Sequence, residues 1–287
     1  MKNLIIRAIA GAVFVILTVG CIVSHPYAFA LLFTLISAMT TWEFCTIVNR
    51  NAGLQTNRFI SSITSGYLFV AMFSYNVGLM DARVFIPYLI SIIYLLVSEL
   101  YFDRQSNIQN WAFSMMSQIY IALPFALLNT MSFIGLPKSC FLPEIVYYYW
   151  YPLALFIFLW ANDTGAYCFG SLLGKHRLFP RISPKKSWEG SIGGAVAAIA
   201  ASQLIATYIP FCTGLEETRS RLLWAGFAAT VVVFGTWGDL VESLLKRRLG
   251  IKDSGNIIPG HGGMLDRFDS SLLAIPAVIV YIYSIVQ

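Results

Sequence analysis

Apolar runs long enough, or nearly so, to cross a bilayer recur nine times along the chain, at residues 4–22, 27–48, 59–77, 84–101, 111–134, 145–161, 191–209, 222–241 and 271–286. About 30 Å of hydrocarbon takes roughly 20 residues of helix, and backbone facing lipid must satisfy its hydrogen bonds within its own segment. The period-two alternation of a membrane barrel is missing. The expected class is therefore all-α: a polytopic integral membrane protein of about nine transmembrane helices. Composition agrees, because 57% of the 287 residues are hydrophobic and only 11% are charged, where a soluble domain carries roughly a quarter charged residues. No polar stretch is long enough for an attached soluble domain or a disordered tail.

Topology follows from the bases. With the N-terminus inside, Lys2, Arg7, Arg50, Arg58, Arg104, Lys175, Arg177, Arg181, Lys185, Lys186, Lys246, Arg247, Arg248, Lys252 and Arg267 fall on the inner side, and only Arg83, Lys138, Arg219 and Arg221 fall outside. Fifteen against four predicts a cytoplasmic N-terminus. The run Tyr147-Tyr148-Tyr149-Trp150-Tyr151 then reads as an outer interfacial belt. Lys2 and Arg7 before an apolar run also suit a signal peptide, but the next span follows at once, and an uncleaved first helix is the simpler expectation. The net charge of +5 bears on topology and anionic ligands, so no nucleic-acid partner is expected. Cys21, Cys45, Cys140, Cys168 and Cys212 show no Cys-x-x-Cys spacing and read as small buried hydrophobes.

The scarce charges are gathered. Residues 162–190 and 239–269 hold 17 of the 33 charged side chains in about a fifth of the chain. Ionisable groups at membrane depth are costly and face a polar cavity or a partner. Asp239, Glu242, Ser243, Lys246 and Arg247 share one helix face, acids deeper and bases nearer the cytosol. Beyond Gly250 the chain is too rich in glycine and turn formers to stay helical, and Asp266, Arg267 and Asp269 then lie at the mouth of the last span. Carboxylates from two helix ends beside several bases suit a magnesium ion shared with substrate phosphates, since that ion takes one or two carboxylates and leaves other positions to phosphate and water. Interfacial anchoring and mutual ion pairing is the competing account.

A second constellation pairs Asn162-Asp163-Thr164-Gly165-Ala166-Tyr167, closing the sixth span, with Ser183-Pro184-Lys185-Lys186-Ser187-Trp188-Glu189-Gly190, leading into the seventh. Hydroxyls, paired lysines and a helix N-terminus make an anion site. A positive-inside loop ending in a serine cap explains the same residues equally well. Neither stretch is a Walker loop.

The run from Ser243 through Lys246-Arg247 to Lys252-Asp253, then Pro259-Gly260-His261-Gly262-Gly263 and Asp266-Arg267-Phe268-Asp269, resembles the C-terminal signature of phosphatidate cytidylyltransferases, also called CDP-diacylglycerol synthases, over 27 positions without departure. The stretches at 162–167 and 183–190 resemble the same family. Over the first 160 residues the likeness is architectural only, so residues 1–160 are expected to be scaffold, lipid access and dimer contacts, and residues 161–287 the catalytic region. The resemblance implies that CTP and phosphatidic acid give CDP-diacylglycerol and pyrophosphate, with magnesium required. It casts Asp239 and Asp266 as metal-binding carboxylates, with a second cation allowed nearby, and Glu242 and Asp269 as their support. Lys246, Arg247, Lys252 and Arg267 would neutralise the triphosphate, while Asn162, Asp163, Ser183, Lys185, Lys186, Ser243, Gly262 and Gly263 would hold substrate. His261 fits a phosphate hydrogen bond and a loop-shaping role equally. The implied setting is the bacterial inner membrane, with the site on the cytoplasmic side and a homodimer implied by the resemblance alone.

The strongest rival class is a transporter using Glu43, Glu99, Asp163 and Asp239 along a pathway. It should show two related halves, and the sequence has no internal repeat. The Asp-Gly-x-x-Ala-Arg pattern of CDP-alcohol phosphotransferases is also absent. A helix-to-helix hydrogen bond is the plain expectation for Glu43 and for Glu99.

Overall fold

The computed structural model describes residues 2–102, 106–133, 147–212, 215–255 and 262–286, without the side chains of residues 2–8 and 286. Most of these residues are helical. The helices are α1 (Lys2–Ser24), α2 (Pro26–Ala52), α3 (Arg58–Asn76), α4 (Ile86–Ser98), α5 (Asn107–Ser117), α6 (Leu123–Met131), α7 (Trp150–Leu173), α8 (Trp188–Tyr208), α9 (Glu217–Arg248) and α10 (Leu265–Val286). A π-helical turn, Gln118–Ala122, joins α5 to α6 just before Pro124, which has no amide to give an α-helical ladder. Among the described residues, each of the nine apolar runs lies mostly on a helix, the fifth on α5 and α6 together. Among the described residues, five helices are long and apolar enough to cross a membrane: Pro26–Ala52, Asn107–Met131, Trp188–Tyr208, Glu217–Arg248 and Leu265–Ile285. Arg104, Lys138, Cys140 and His261 lie outside the described residues.

The all-α class holds, with one short addition: β1 (Arg177–Phe179) and β2 (Ser183–Ser187) form an antiparallel hairpin, with Arg177 opposite Ser187 and Phe179 opposite Ser183. Three expectations need correction. The sixth span does not close near Ala161; its helix, α7, runs on to Leu173, because its small residues pack on a neighbouring helix and no proline follows Ala161 within it. Tyr151 is a core residue, 1% exposed, whose hydroxyl donates to Phe211 O at 2.5 Å. Cys168 is exposed on α7, whereas Cys45 is buried as expected.

The chain divides into two compact units. The first, Met1–Phe133 with Leu245–Phe268, comprises α1 to α6, the end of α9, the following segment and the first turn of α10. Lipid tails are as apolar as leucine, so its helices associate by close packing and internal hydrogen bonds. Between α2 and α3, Ser37 Oγ lies 2.7 Å from Ser65 Oγ, Thr41 Oγ1 donates to Ser65 Oγ at 2.8 Å, and Ser62 Oγ donates to Ala38 O at 2.6 Å. Phe268 is buried against Phe14, Phe33 and Phe125, with ring centroids 5.3–6.2 Å apart. Such ring pairs contribute about 0.5–1.5 kcal/mol each, and they seat the first turn of α10 among α1, α2 and α6.

The second unit, Ile134–Leu244 with Asp269–Gln287, holds α7, the hairpin, α8, most of α9 and the rest of α10. Here α7 and α8 pack backbone to backbone. A β-carbon on Gly165 would stand 2.8 Å from Ala197 Cβ and 2.9 Å from Gly193 O, and one on Gly194 would stand 2.5 Å from Asn162 Oδ1. Tyr151, Phe158, Phe211, Trp224 and Phe227 form an aromatic core, with Trp224 Nε1 donating to Ile209 O at 2.9 Å.

Candidate active site

In the second unit, α7, the hairpin, α8 and α9 enclose a cavity of about 480 Å³. Expected site residues Asn162, Asp163, Lys185, Lys186 and Asp239 line it, together with Arg177, Tyr167, Ser191 and Thr236, to which the sequence assigned no role. The helical run-on of α7 stacks Asn162 and Asp163 one turn from Ala166 and Tyr167 on the cavity face. The hairpin register carries Arg177 to Lys185, and Arg177 Nη1 reaches Lys185 O at 3.5 Å. Ser183 pairs with Phe179 at the far end of the hairpin and is not among the lining residues.

Ser187 caps α8 by accepting from Gly190 N at 3.2 Å, as the serine-cap reading expects. Glu189 in the first turn accepts from Lys175 N and His176 N, each at 3.2 Å, and lies 2.6 Å from His176 Nδ1. That clamp fixes the start of the hairpin against the start of α8. On α9, Asp239 Oδ2 pairs with Lys186 Nζ at 2.5 Å, and Asp239 Oδ1 accepts from Ser243 Oγ at 3.1 Å. Glu242 is fully buried on the same helix. Gly238 lets α9 approach α10 closely, its added β-carbon meeting Asp269 O at 2.6 Å, and Asp269 Oδ1 accepts from Ser270 N at 2.6 Å. Three cations, Arg177, Lys185 and Lys186, thus share a cavity with two acids and a helix N-terminus, which suits a phosphate-bearing ligand.

The first unit contains a second charged cluster. Asp266 Oδ1 pairs with Lys246 Nζ at 2.7 Å, with the two side chains 8% and 16% exposed, and Asp266 Oδ2 accepts from Ser254 N and Gly263 N, each at 2.9 Å. Gly262 turns the chain there at φ +83°, and a β-carbon on it would stand 2.6 Å from Asp266 Oδ2. Sequence reasoning missed the centre of this cluster. Glu43 on α2, 5% exposed, accepts from Ser254 Oγ, from Met264 N at 2.8 Å and from Leu265 N at 3.3 Å. Its signal was present, since an acid within an apolar span is a functional position by default. Glu99 does answer to its plain expectation, accepting from Asn110 Nδ2 at 3.0 Å. Lys252 lines an open cavity of about 690 Å³ with Glu43 and Arg50, while Arg247 and Arg267 are exposed.

Asp239 in the second unit and Asp266 in the first each offer carboxylate oxygens of the hard kind magnesium takes, and each is paired with a lysine ammonium. No group of three or more potential metal-ligating side chains occurs among the described residues, but one or two carboxylates suffice for an ion that also binds substrate phosphate.

A family model described as the cytidylyltransferase family matches residues 5–285. Among curated relatives, a phosphatidate cytidylyltransferase of Staphylococcus saprophyticus is 38% identical over 176 residues, covering 61% of this chain and 60% of that protein. One of Staphylococcus haemolyticus is 34% identical over 212 residues, covering 73% and 74%. One of Staphylococcus epidermidis is 45% identical over 128 residues, covering 44% and 46%. The chain thus spans between about half and three quarters of the length of these relatives.

Proposed function

The chain belongs to the cytidylyltransferase family, and on that premise we propose that it transfers a cytidylyl group from CTP to phosphatidic acid, giving CDP-diacylglycerol and pyrophosphate for phospholipid synthesis. The observation that carries this reading is the cavity in which Asp239 meets Lys186 beside Lys185, Arg177 and Asp163. Three bases suited to phosphate and two carboxylates suited to a cation line one pocket.

A phosphatidate oxygen attacks the α-phosphorus of CTP in line, forming one P–O bond as the bond to pyrophosphate breaks. The attacking phosphate monoester is already ionised near neutral pH, so no protein nucleophile is required, and catalysis rests on positioning and charge stabilisation. Lys185, Lys186 and Arg177 hold a substrate phosphate, with Asn162 and Asp163 lining the same pocket and Ser243 hydrogen-bonded to Asp239. Lys246, Arg247, Lys252 and Arg267 balance the charge of the triphosphate and of departing pyrophosphate. Asp239 and Asp266 are the carboxylates that would hold magnesium, with Glu242 and Asp269 in support. Bound magnesium would supply positive charge against phosphate oxygens, and a second cation would act in the same way.

The setting is a bacterial inner membrane, crossed nine times from a cytoplasmic N-terminus. The Lys/Arg count supports that orientation and puts both charged segments on the cytosolic side, where CTP is. The first 160 residues act as scaffold and lipid access, with a homodimer as the assembled form. The test is the purified protein in detergent with CTP, phosphatidic acid and magnesium, following product lipid by mass. Magnesium-dependent CDP-diacylglycerol is expected, and its absence refutes the reading. Asp239→Asn and Asp266→Asn should each abolish turnover in protein that still folds.

A further inference from the structure

We propose that Glu43 is a positioning residue that supplies, from α2, the N-terminal cap α10 lacks, and thereby sets the place of Asp266. The inference rests on the cytidylyl-transfer reading for its activity arm alone.

A helix begins with amides that have no partner inside it. They are ordinarily met by a serine, threonine, aspartate or asparagine at the cap. The residues before α10 are Gly262, Gly263 and Met264, none of which has a side-chain oxygen. Half of a capping arrangement is nevertheless present, because Asp266 reaches back to Gly263 N at 2.9 Å. Glu43 provides the other half, accepting from Met264 N at 2.8 Å and Leu265 N at 3.3 Å across more than 220 residues of sequence. A carboxylate there also meets the positive end of the helix dipole.

The same carboxylate takes the hydroxyl of Ser254, whose own amide donates to Asp266 Oδ2. Ser254 is therefore held twice, by its side chain to Glu43 and by its backbone to Asp266. Residues 263–265 are held in the same double way, so that two acids from separate helices fasten one pair of backbone segments. With Oδ2 committed to those amides, Oδ1 of Asp266 is the oxygen presented to Lys246 Nζ. Glycine at 263 is part of the device, since an added β-carbon would overlap the Glu43 carboxylate and Ser254 Oγ. None of these contacts brings Glu43 to a reacting atom. It acts through Ser254 and the start of α10.

The experiment uses the full-length protein in detergent, with backbone amide exchange by mass spectrometry beside steady-state kinetics. In Glu43→Gln, whose amide nitrogen presents hydrogens to an N–H, exchange at residues 264–265 should quicken at least about tenfold while peptides from α8 keep the wild-type rate. Displacement by about 1 Å costs on the order of 100-fold in turnover, so kcat should fall on that order while KM for CTP changes less than about threefold. Ser254→Ala keeps both backbone bonds of Glu43 and should show a smaller loss of the same kind. The double variant should be no slower than Glu43→Gln alone, because the two side chains act as one unit. Unchanged exchange at 264–265, a kcat within about threefold of wild type, or fully additive losses would each overturn the proposal. If Glu43→Gln does not fold, Ser254→Ala and Gly263→Ala decide it by the same two measurements. Wild-type protein that makes no CDP-diacylglycerol would refute the proposed function instead, leaving the exchange result to judge the cap.

Discussion

Replacing Lys246 by methionine keeps most of the stem and removes the ammonium from a pair that is almost sealed from solvent. Lys246 Nζ lies 2.7 Å from Asp266 Oδ1, with side chains 16% and 8% exposed. Removing one partner of a buried pair costs about 3–5 kcal/mol, because the remaining charge is left desolvated. Asp266 would keep its two amide hydrogen bonds, from Ser254 N and Gly263 N, so the lower end, about 3 kcal/mol, is expected. At roughly 2–4 °C per kcal/mol for a chain of this size, Lys246→Met should lower the unfolding midpoint by about 6–12 °C, read by tryptophan fluorescence in detergent. The double variant Lys246→Met/Asp266→Asn removes the stranded charge and should regain at least about half of that loss. A single variant within about 1 °C of wild type, or a double variant no more stable than the single, would show that the pair is not a desolvated charge couple and would refute the argument.

Gly165→Val should cost at least about 1–3 kcal/mol by overpacking α7 against α8, seen as a lower unfolding midpoint and less monodisperse protein on size exclusion. Tyr151→Phe should cost about 1–3 kcal/mol by leaving Phe211 O without its donor, measured in the same unfolding assay. Arg177→Ala should lower kcat/KM for CTP about tenfold, the worth of one charge-assisted contact to phosphate, measured by initial rates across CTP concentration. Full activity in that variant would remove Arg177 from the phosphate site.

Membrane helices were legible because their signal is local: hydrocarbon thickness sets a length, and five helices of that length and apolarity occur among the described residues. The charged segments were legible for a related reason, since ionisable groups in so apolar a chain stand out against their background. Where helices end was less legible. After Ala161 both hydropathy and helix propensity fall, through Asn162, Asp163, Thr164 and Gly165, yet small residues packed on α8 carry α7 on to Leu173. The hairpin was also hidden, because a three-residue strand between basic residues resembles any inner loop until its register with residues 183–187 is known.

The sequence by itself determined a helical membrane protein, the two segments that gather its charges and, through a 27-residue signature, the reaction class to test. Only the tertiary structure decided which charges meet. Lys186 reaches Asp239 across 53 positions, Lys246 reaches Asp266 across 20, and Glu43 reaches Leu265 across 222. Periodicity reports neighbours on one helix, three or four residues apart. A buried acid whose partners are backbone amides of a distant glycine-rich turn leaves no such trace, because those partners have no side chain to read.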